Sequence, residues 1–356
     1  MSTQLDHYRL LGRSGLRVSP LCLGTMTFGT DWNWGSSEDD SRQILDAYAD
    51  KGGNFLDTAD IYTNGTSEQF VGKFIKDRRD SFVLATKFTF NFGEGDPNSA
   101  GNHRKHMRTA VEASLKRLGT DYIDLYWVHA FDGRTPVEET MRALDDLVRQ
   151  GKINYVGVSD YPAWKVAEAN TMSMLRGWTP FVALQIEYSL LERTPERDLL
   201  PMAIDFGMAV TPWSPLGQGA LTGKFLDDHD DKADDDARIN QNRERMGGKY
   251  VNDHAISCAK AVVKVAKDKG VSPSQVAVAW LLHQPGVTSP IIGARKLSHL
   301  NDNLDAVSVS LSEEELKTLD DASKVSLGFP HEFLQQVDAM TCAKQHVEAP
   351  PQGRLV

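Results

Sequence analysis

Short apolar, β-rich runs alternate with helical segments along most of this chain, and that alternation restricts the fold more than any other feature. The runs cover residues 21–25, 55–56, 82–86, 123–128, 155–158, 181–185, 208–211 and 290–293. Helical periodicity fills the intervals at 37–51, 67–76, 162–176, 195–206, 253–269 and 273–282. Two more helices show their apolar stripes directly. Met107, Val111, Leu115 and Leu118 line one face before Gly119, and Val137, Met141, Leu144 and Leu147 line another before Gly151. Thr135-Pro136-Val137-Glu138 reads as a capping box opening the second of these, with proline at the first helical position. Ser312-Glu313-Glu314-Glu315 reads as another, opening the last helix. About eight strand–helix units is the number that closes a (β/α)8 TIM barrel. Residues 8–18 predict a β-hairpin with its turn at Arg13-Ser14-Gly15, suited to plug the bottom of that barrel. Residues 1–323 form the barrel domain. Residues 324–356 continue it as a loop over the barrel mouth or a disordered end.

Three of the strands stop on side chains that do chemistry. Residues 55–56 run into Asp57, with Tyr62 five positions later; residues 82–86 run into Lys87; residues 123–128 run into His129. A parallel barrel carries its chemistry at the C-terminal ends of its strands. Here the set is coherent: a phenol that is a poor acid at neutral pH, a cation able to lower its pKa, a carboxylate to hold the cation, and an imidazole nearby. A metal-dependent barrel hydrolase would need a His-x-His pair or a ring of carboxylates at the same strand ends, and neither is present.

A net charge of −10 argues against nucleic acid or an anionic membrane surface as partner. No run approaches the length of a membrane span and residues 1–8 lack an apolar core, so neither a span nor a signal peptide is expected. Cys22, Cys258 and Cys342 are few and far apart, consistent with reduced thiols in the cytoplasm and no structural metal. The acidic run 227–236 reads as a solvated loop rather than a metal cage. Gly217, Gly219 and Gly223 miss the dinucleotide fingerprint by one place and follow no suitable strand, so a Rossmann domain is rejected.

Beyond these features, the chain resembles the aldo-keto reductases between about residues 8 and 323. The resemblance is carried by Asp57-Thr58-Ala59-Asp60-Ile61-Tyr62, Ala85-Thr86-Lys87, residues 114–125, His129, Gly157-Val158-Ser159, Pro215-Leu216-Gly217 and residues 219–224. Gly95-Asp96-Pro97-Asn98 and Arg104-Lys105-His106 are more similar to the bacterial, plant and potassium-channel-β branches. The resemblance implies NADPH bound extended across the C-terminal face, NADH being less favoured, and reduction of an aldehyde or ketone to the alcohol, with the reverse oxidation open to the same groups.

The resemblance makes Tyr62 the general acid, Lys87 the group that depresses its pKa, Asp57 the partner of Lys87, and His129 the residue that orients the substrate oxygen. Ser159, Asp160 and Gln185 would grip the carboxamide, and Trp213 would stack on the nicotinamide. Ser214, Pro215, Leu216, Gly219 and Lys224 would follow the pyrophosphate. Gly293, Arg295, His299, Asp302 and Asn303 would hold the adenosine end, with Arg295 on the 2′-phosphate. Asp160 departs from the usual Asn, and His299 from a frequent Gln. Trp32, Trp34, Phe88 and Phe131, with Phe90 and Phe333, are expected to line an apolar substrate pocket. The partner expected is a small-molecule carbonyl compound, and the oligomeric state is left open. A different class of function, a redox-sensing NADPH-binding regulatory subunit with little turnover, shares the same four residues.

Overall fold

The computed structural model of the chain describes residues 4–91, 95–224, 226, 252–341, 343 and 345. The acidic run 227–236, Cys342 and the Pro-rich end 346–356 lie outside the described residues.

Eight parallel strands pair in one sheet: β3 (Cys22–Gly24), β4 (Phe55–Asp57), β5 (Val83–Phe88), β6 (Ile123–Val128), β7 (Ile153–Ser159), β8 (Phe181–Glu187), β9 (Ala209–Trp213) and β10 (Ile291–Gly293). β10 returns to β3, with Ile291 opposite Cys22, and the chain entering β10 bridges Val210 through Val287. Thr288 N donates to Val210 O at 2.8 Å, so the ring is nearly closed. Helices α1 (Glu38–Asp50), α2 (Thr66–Ile75), α3 (Arg104–Leu118), α4 (Val137–Arg149), α5 (Ala163–Arg176), α6 (Leu199–Asp205), α7 (Asp253–Lys269), α8 (Pro273–Leu282), α9 (Leu297–Asp305) and α10 (Glu313–Ser323) connect the strands or pack around them. This is the (β/α)8 barrel that the alternation predicts.

The period of two along each strand separates two cores. Phe55, Val83, Ala85, Leu125, Trp127, Ala183, Ala209 and Ile291 fill the barrel interior, and Leu11 and Val18 join them from below. Leu56, Leu84, Tyr126, Val128, Val158, Leu184 and Val210 face outward under the helices. Trp127 fills the interior only because its neighbour lacks a side chain: a Cβ on Gly157 would lie 2.3 Å from the indole. The hairpin of β1 (Arg9–Leu10) and β2 (Arg17–Val18) closes the base. Its turn docks so tightly that a Cβ on Gly12 would come within 2.4 Å of Val182 O at the foot of β8.

Local sequence signals fare unevenly. Ser312 and Ser272 form capping boxes with Glu315 and Gln275, and Gly119 ends α3 in the left-handed conformation. The box expected at Thr135 does not form. Pro136 is itself the cap of α4, and Thr135 Oγ1 donates instead to Asp132 Oδ2 at 2.6 Å. Asp132 also accepts from the backbone of Arg134 and Thr135, so the loop carboxylate has captured the threonine. The helix expected over 195–206 is split into a 3-10 turn, Thr194–Glu196, and α6. Arg193 draws Glu196 and Asp320 together beside that break, pairing with each. The tail carries a further helix, α11 (His331–Thr341), where a loop or disordered end is expected; none of its residues is buried. It is tied at its start, where Arg197 Nη2 donates to Ser326 O at 2.6 Å and His331 lies 3.4 Å from Asp198. Cys22 and Cys258 are free and buried.

Candidate active site

The inward file of six of the eight strands leads to a side chain that carries a polar group. Asp57 ends β4, Lys87 stands one residue before the end of β5, His129 follows β6, Ser159 ends β7, Gln185 lies near the end of β8, and Trp213 ends β9. All have the odd-numbered register of the interior core, so the barrel floor of Trp127 and Leu125 lies below them and the mouth above.

Lys87 is the centre of the cluster and is fully buried. Its Nζ pairs with Asp57 Oδ2, donates to Thr58 O at 2.9 Å and donates to Tyr62 Oη at 3.1 Å. Asp57 Oδ1 in turn accepts from Gln185 Nε2 at 3.0 Å. Burial opposes the charge on Lys87, but Asp57 and then Tyr62 outweigh it and hold the ammonium above its usual pKa. The Tyr62 ring lies 4.7 Å from Nζ and meets the His129 ring edge-on at 6.0 Å. A strained turn delivers Tyr62 there. Thr63 and Asn64 have positive φ, and Thr63 Oγ1 donates to Phe28 O at 2.7 Å. Burial raises the Tyr62 pKa; Lys87 pulls it down without reversing the shift, while Asp57 and Asp160 add to it. Lys87 thus lowers the Tyr62 pKa as the resemblance implies, and desolvation, which the sequence does not register, outweighs it in the net. Burial and then Lys87 keep the His129 imidazole neutral, and its Nδ1 is enclosed without a hydrogen-bond partner.

The other residues singled out by sequence form two neighbourhoods. On one side, Trp213 Nε1 donates to Asp160 Oδ1 at 3.2 Å. Ser159 Oγ is buried, close enough to lower the pKa of Asp160 but without a partner in hydrogen-bonding geometry. Ser214, Pro215, Leu216 and Gly219 lie on the turn that follows β9, and no atom stands within 4 Å of where a Gly219 Cβ would be. On the other side, burial lowers the His299 pKa, and Lys224, Lys296 and Arg295 lower it further against Asp302. These cations therefore converge. Gly293 is exposed at the end of β10, Asn303 is buried on α9, and Asp302 Oδ1 accepts from Gln275 Nε2 at 3.0 Å. Orphaned polar atoms, a glycine-lined turn and a cluster of cations suit an extended phosphorylated ligand.

The aromatic residues divide. Trp32 and Trp34 pair at 5.8 Å in the loop after β3, the loop whose Phe28 carbonyl holds the Tyr62 turn. Phe90 lies 4.8 Å from the His129 ring, and Phe131 meets Tyr161 edge-on at 5.0 Å. Phe88 is corrected. It is fully buried and stacks on Tyr126 at 5.1 Å beneath α3, because the residue next to inward-facing Lys87 must face the helices. Phe333 sits on exposed α11.

Two residues escaped the sequence reading, and Gln185, singled out there for the carboxamide, has a second role. Gln185 steadies Asp57, a role its spacing cannot reveal. Gln218 has positive φ on the turn after β9 and a buried, unpartnered Oε1. Asp60 has an unpartnered Oδ1, and burial, then Glu68, push its carboxyl up to about 8. An aspartate in the unfolded chain titrates near ~4. Between those values the folded chain holds a proton that the unfolded chain has released, so the contribution of Asp60 to stability is fully present below ~4 and is lost as pH rises toward 8. Asp60→Asn is expected to flatten that slope and to be more stable than the parent at pH 8 by roughly 1–3 kcal/mol, since Asp60 is only partly enclosed. Thermal melts at pH 5 and pH 8 measure it, and an unchanged slope would assign the proton elsewhere.

Comparison with known proteins adds a second line of observation. A model described as the Aldo/keto reductase family matches residues 20–324. A norsolorinic acid reductase of Aspergillus flavus is 40% identical over 343 residues, covering 93% of this chain and 85% of the relative. An aryl-alcohol dehydrogenase [NADP(+)] of Phanerodontia chrysosporium is 38% identical, with 92% of this chain and 89% of the relative covered. A putative aryl-alcohol dehydrogenase, AAD14, of Saccharomyces cerevisiae is 36% identical, covering 95% and 92%.

Proposed function

Because this chain belongs to the aldo/keto reductase family, a family of oxidoreductases that use nicotinamide cofactors, we propose that it reduces an aryl aldehyde or ketone to the alcohol with NADPH. The observation that carries this reading is the single ammonium of Lys87 joined to Asp57, Thr58 O and Tyr62 at once. The aryl preference draws on the names of the relatives and on Trp32, Trp34, Phe90 and Phe131, whose rings suit a flat apolar ligand.

Tyr62 Oη donates its proton to the carbonyl oxygen. The phenolate left behind is stabilised by Lys87 at 3.1 Å, so the cation acts on the product of proton transfer even though burial keeps the resting phenol a weak acid. Asp57 holds Lys87 charged, and Gln185 holds Asp57. Neutral His129 offers Nε2 to the same oxygen, since Nδ1 is enclosed. Asp160, Ser159 and Trp213 would hold the nicotinamide end, and Lys224, Arg295 and His299 the phosphorylated end, Arg295 favouring NADPH over NADH through the 2′-phosphate. When bound, the reduced nicotinamide supplies a hydride to the carbonyl carbon and is left as a cation.

The test is oxidation of NADPH, with NADH beside it, against aryl aldehydes, aliphatic aldehydes, α-dicarbonyls, ketosugars and cyclic ketones. Turnover with NADPH that favours aryl carbonyls is the expected result. Tight NADPH binding without turnover on any substrate would favour a redox-sensing regulatory subunit, and absence of binding would remove the cofactor assignment.

A further inference from the structure

We propose that Asp160 sets this chain's discrimination between the two redox forms of its cofactor, its carboxylate favouring NADP+ over NADPH and so assisting hydride departure during carbonyl reduction. The inference rests on the cofactor site proposed above and adds a charge-based role for one residue in it. A hydride donor must lie beside the carbon whose oxygen Tyr62 protonates. Asp160 is close enough to Tyr62 to influence its ionisation, and its carboxylate is fixed by the Trp213 indole at 3.2 Å. Its backbone is fixed as well. Asp160 has φ +50°, its N–H donates to Gln185 O at 3.2 Å, and its carbonyl accepts from Phe131 N at 3.4 Å. The residue is exposed, with its accessible surface at the mouth, although protein crowds it on its other sides.

The charge balance of the site gives Asp160 its effect. Asp57 and Lys87 offset one another, whereas Asp160 makes no ion pair among the described residues. The groups around it are Ser159 on β7, Gln185 and Glu187 on β8, Trp213 on β9, Lys87 on β5 and Tyr62 after β4. Trp213, Ser159 and Lys87 favour its ionised form, and Glu187 opposes it. An asparagine at this position would bind either redox form by hydrogen bonds alone. A carboxylate distinguishes them, because the oxidised ring is a cation and the reduced ring is neutral. Stabilising the oxidised form also makes the bound reduced form a better hydride donor, at the cost of slower NADP+ release. Desolvation sets the carboxyl at about 6, so it is ionised at pH 8 and largely protonated at pH 5. The cations around His299 act on the end that both redox forms share, and their contribution cancels when the two affinities are divided.

The experiment is titration of the intact protein, without substrate, by NADP+ and by NADPH separately at pH 5.5 and pH 8, followed by calorimetry or by Trp fluorescence. At pH 8 the ratio Kd(NADPH)/Kd(NADP+) is expected to be about tenfold higher in the parent than in Asp160→Asn, an estimate reduced for solvent screening at the mouth. In the parent it is expected to fall about threefold on going to pH 5.5, where about a quarter of the carboxyl is still ionised, and in the variant to stay flat. Both forms binding with a ratio indifferent to the variant and to pH would overturn the inference and leave the cofactor site standing. Failure of the parent to bind either form would overturn both. The pH arm of the parent decides the matter if Asp160→Asn does not fold.

Discussion

Tyr62→Phe is expected to lower kcat for carbonyl reduction by roughly a thousandfold, within the range that a positioned general acid contributes, while NADPH affinity stays near that of the parent. The substitution removes one oxygen and keeps the ring. Lys87 Nζ lies 4.7 Å from that ring and retains its contact with the aromatic face, and the turn is held independently through Thr63 and Phe28. Loss of rate therefore reports the proton and not the packing. A kcat within tenfold of the parent would show that another donor supplies the proton, His129 being the neighbour placed to do so at a ring separation of 6.0 Å.

Lys87→Met should abolish measurable turnover and also destabilise the fold by about 3–5 kcal/mol, the usual cost of leaving one member of a buried ion pair alone. Asp57 is then a buried carboxylate with Gln185 as its remaining side-chain donor. The double variant Asp57→Asn/Lys87→Met separates the two effects: it should recover much of the stability, since no uncompensated charge is left, and none of the activity. Denaturant melts and kcat on the three proteins measure this. Recovery of turnover in the double variant would count against Lys87 as the partner of Tyr62.

The barrel was legible because its signals are local. Short apolar, β-rich runs, the serine cap at Ser312 and the stop at Gly119 depend on neighbours a few residues away, and they survive folding unchanged. The convergence of Asp57, Tyr62, Lys87 and His129 was legible for the same reason, since each stands at or just past a strand end. What failed depended on competition or on distance. Thr135 was a sound cap until Asp132 offered its hydroxyl a better acceptor. Gln185 bonds a residue 128 positions earlier, which no spacing rule anticipates. The raised pKa of Tyr62 reflects how much protein surrounds the phenol, a quantity that a list of its charged neighbours omits. Phe88 is different: alternation beside Lys87 already assigns it to the outer face, and its aromatic character obscured that.

Closure of the ring through β10 and β3 has a consequence for how the protein comes into being. Asp57, Tyr62, Lys87 and His129 are all synthesised before β7, yet β3, the strand beside Asp57, gains its second neighbour only when Ile291 and Ile292 have been made. Gln185, which steadies Asp57, also arrives late. The reactive groups are thus made well before the strand that completes the wall around them.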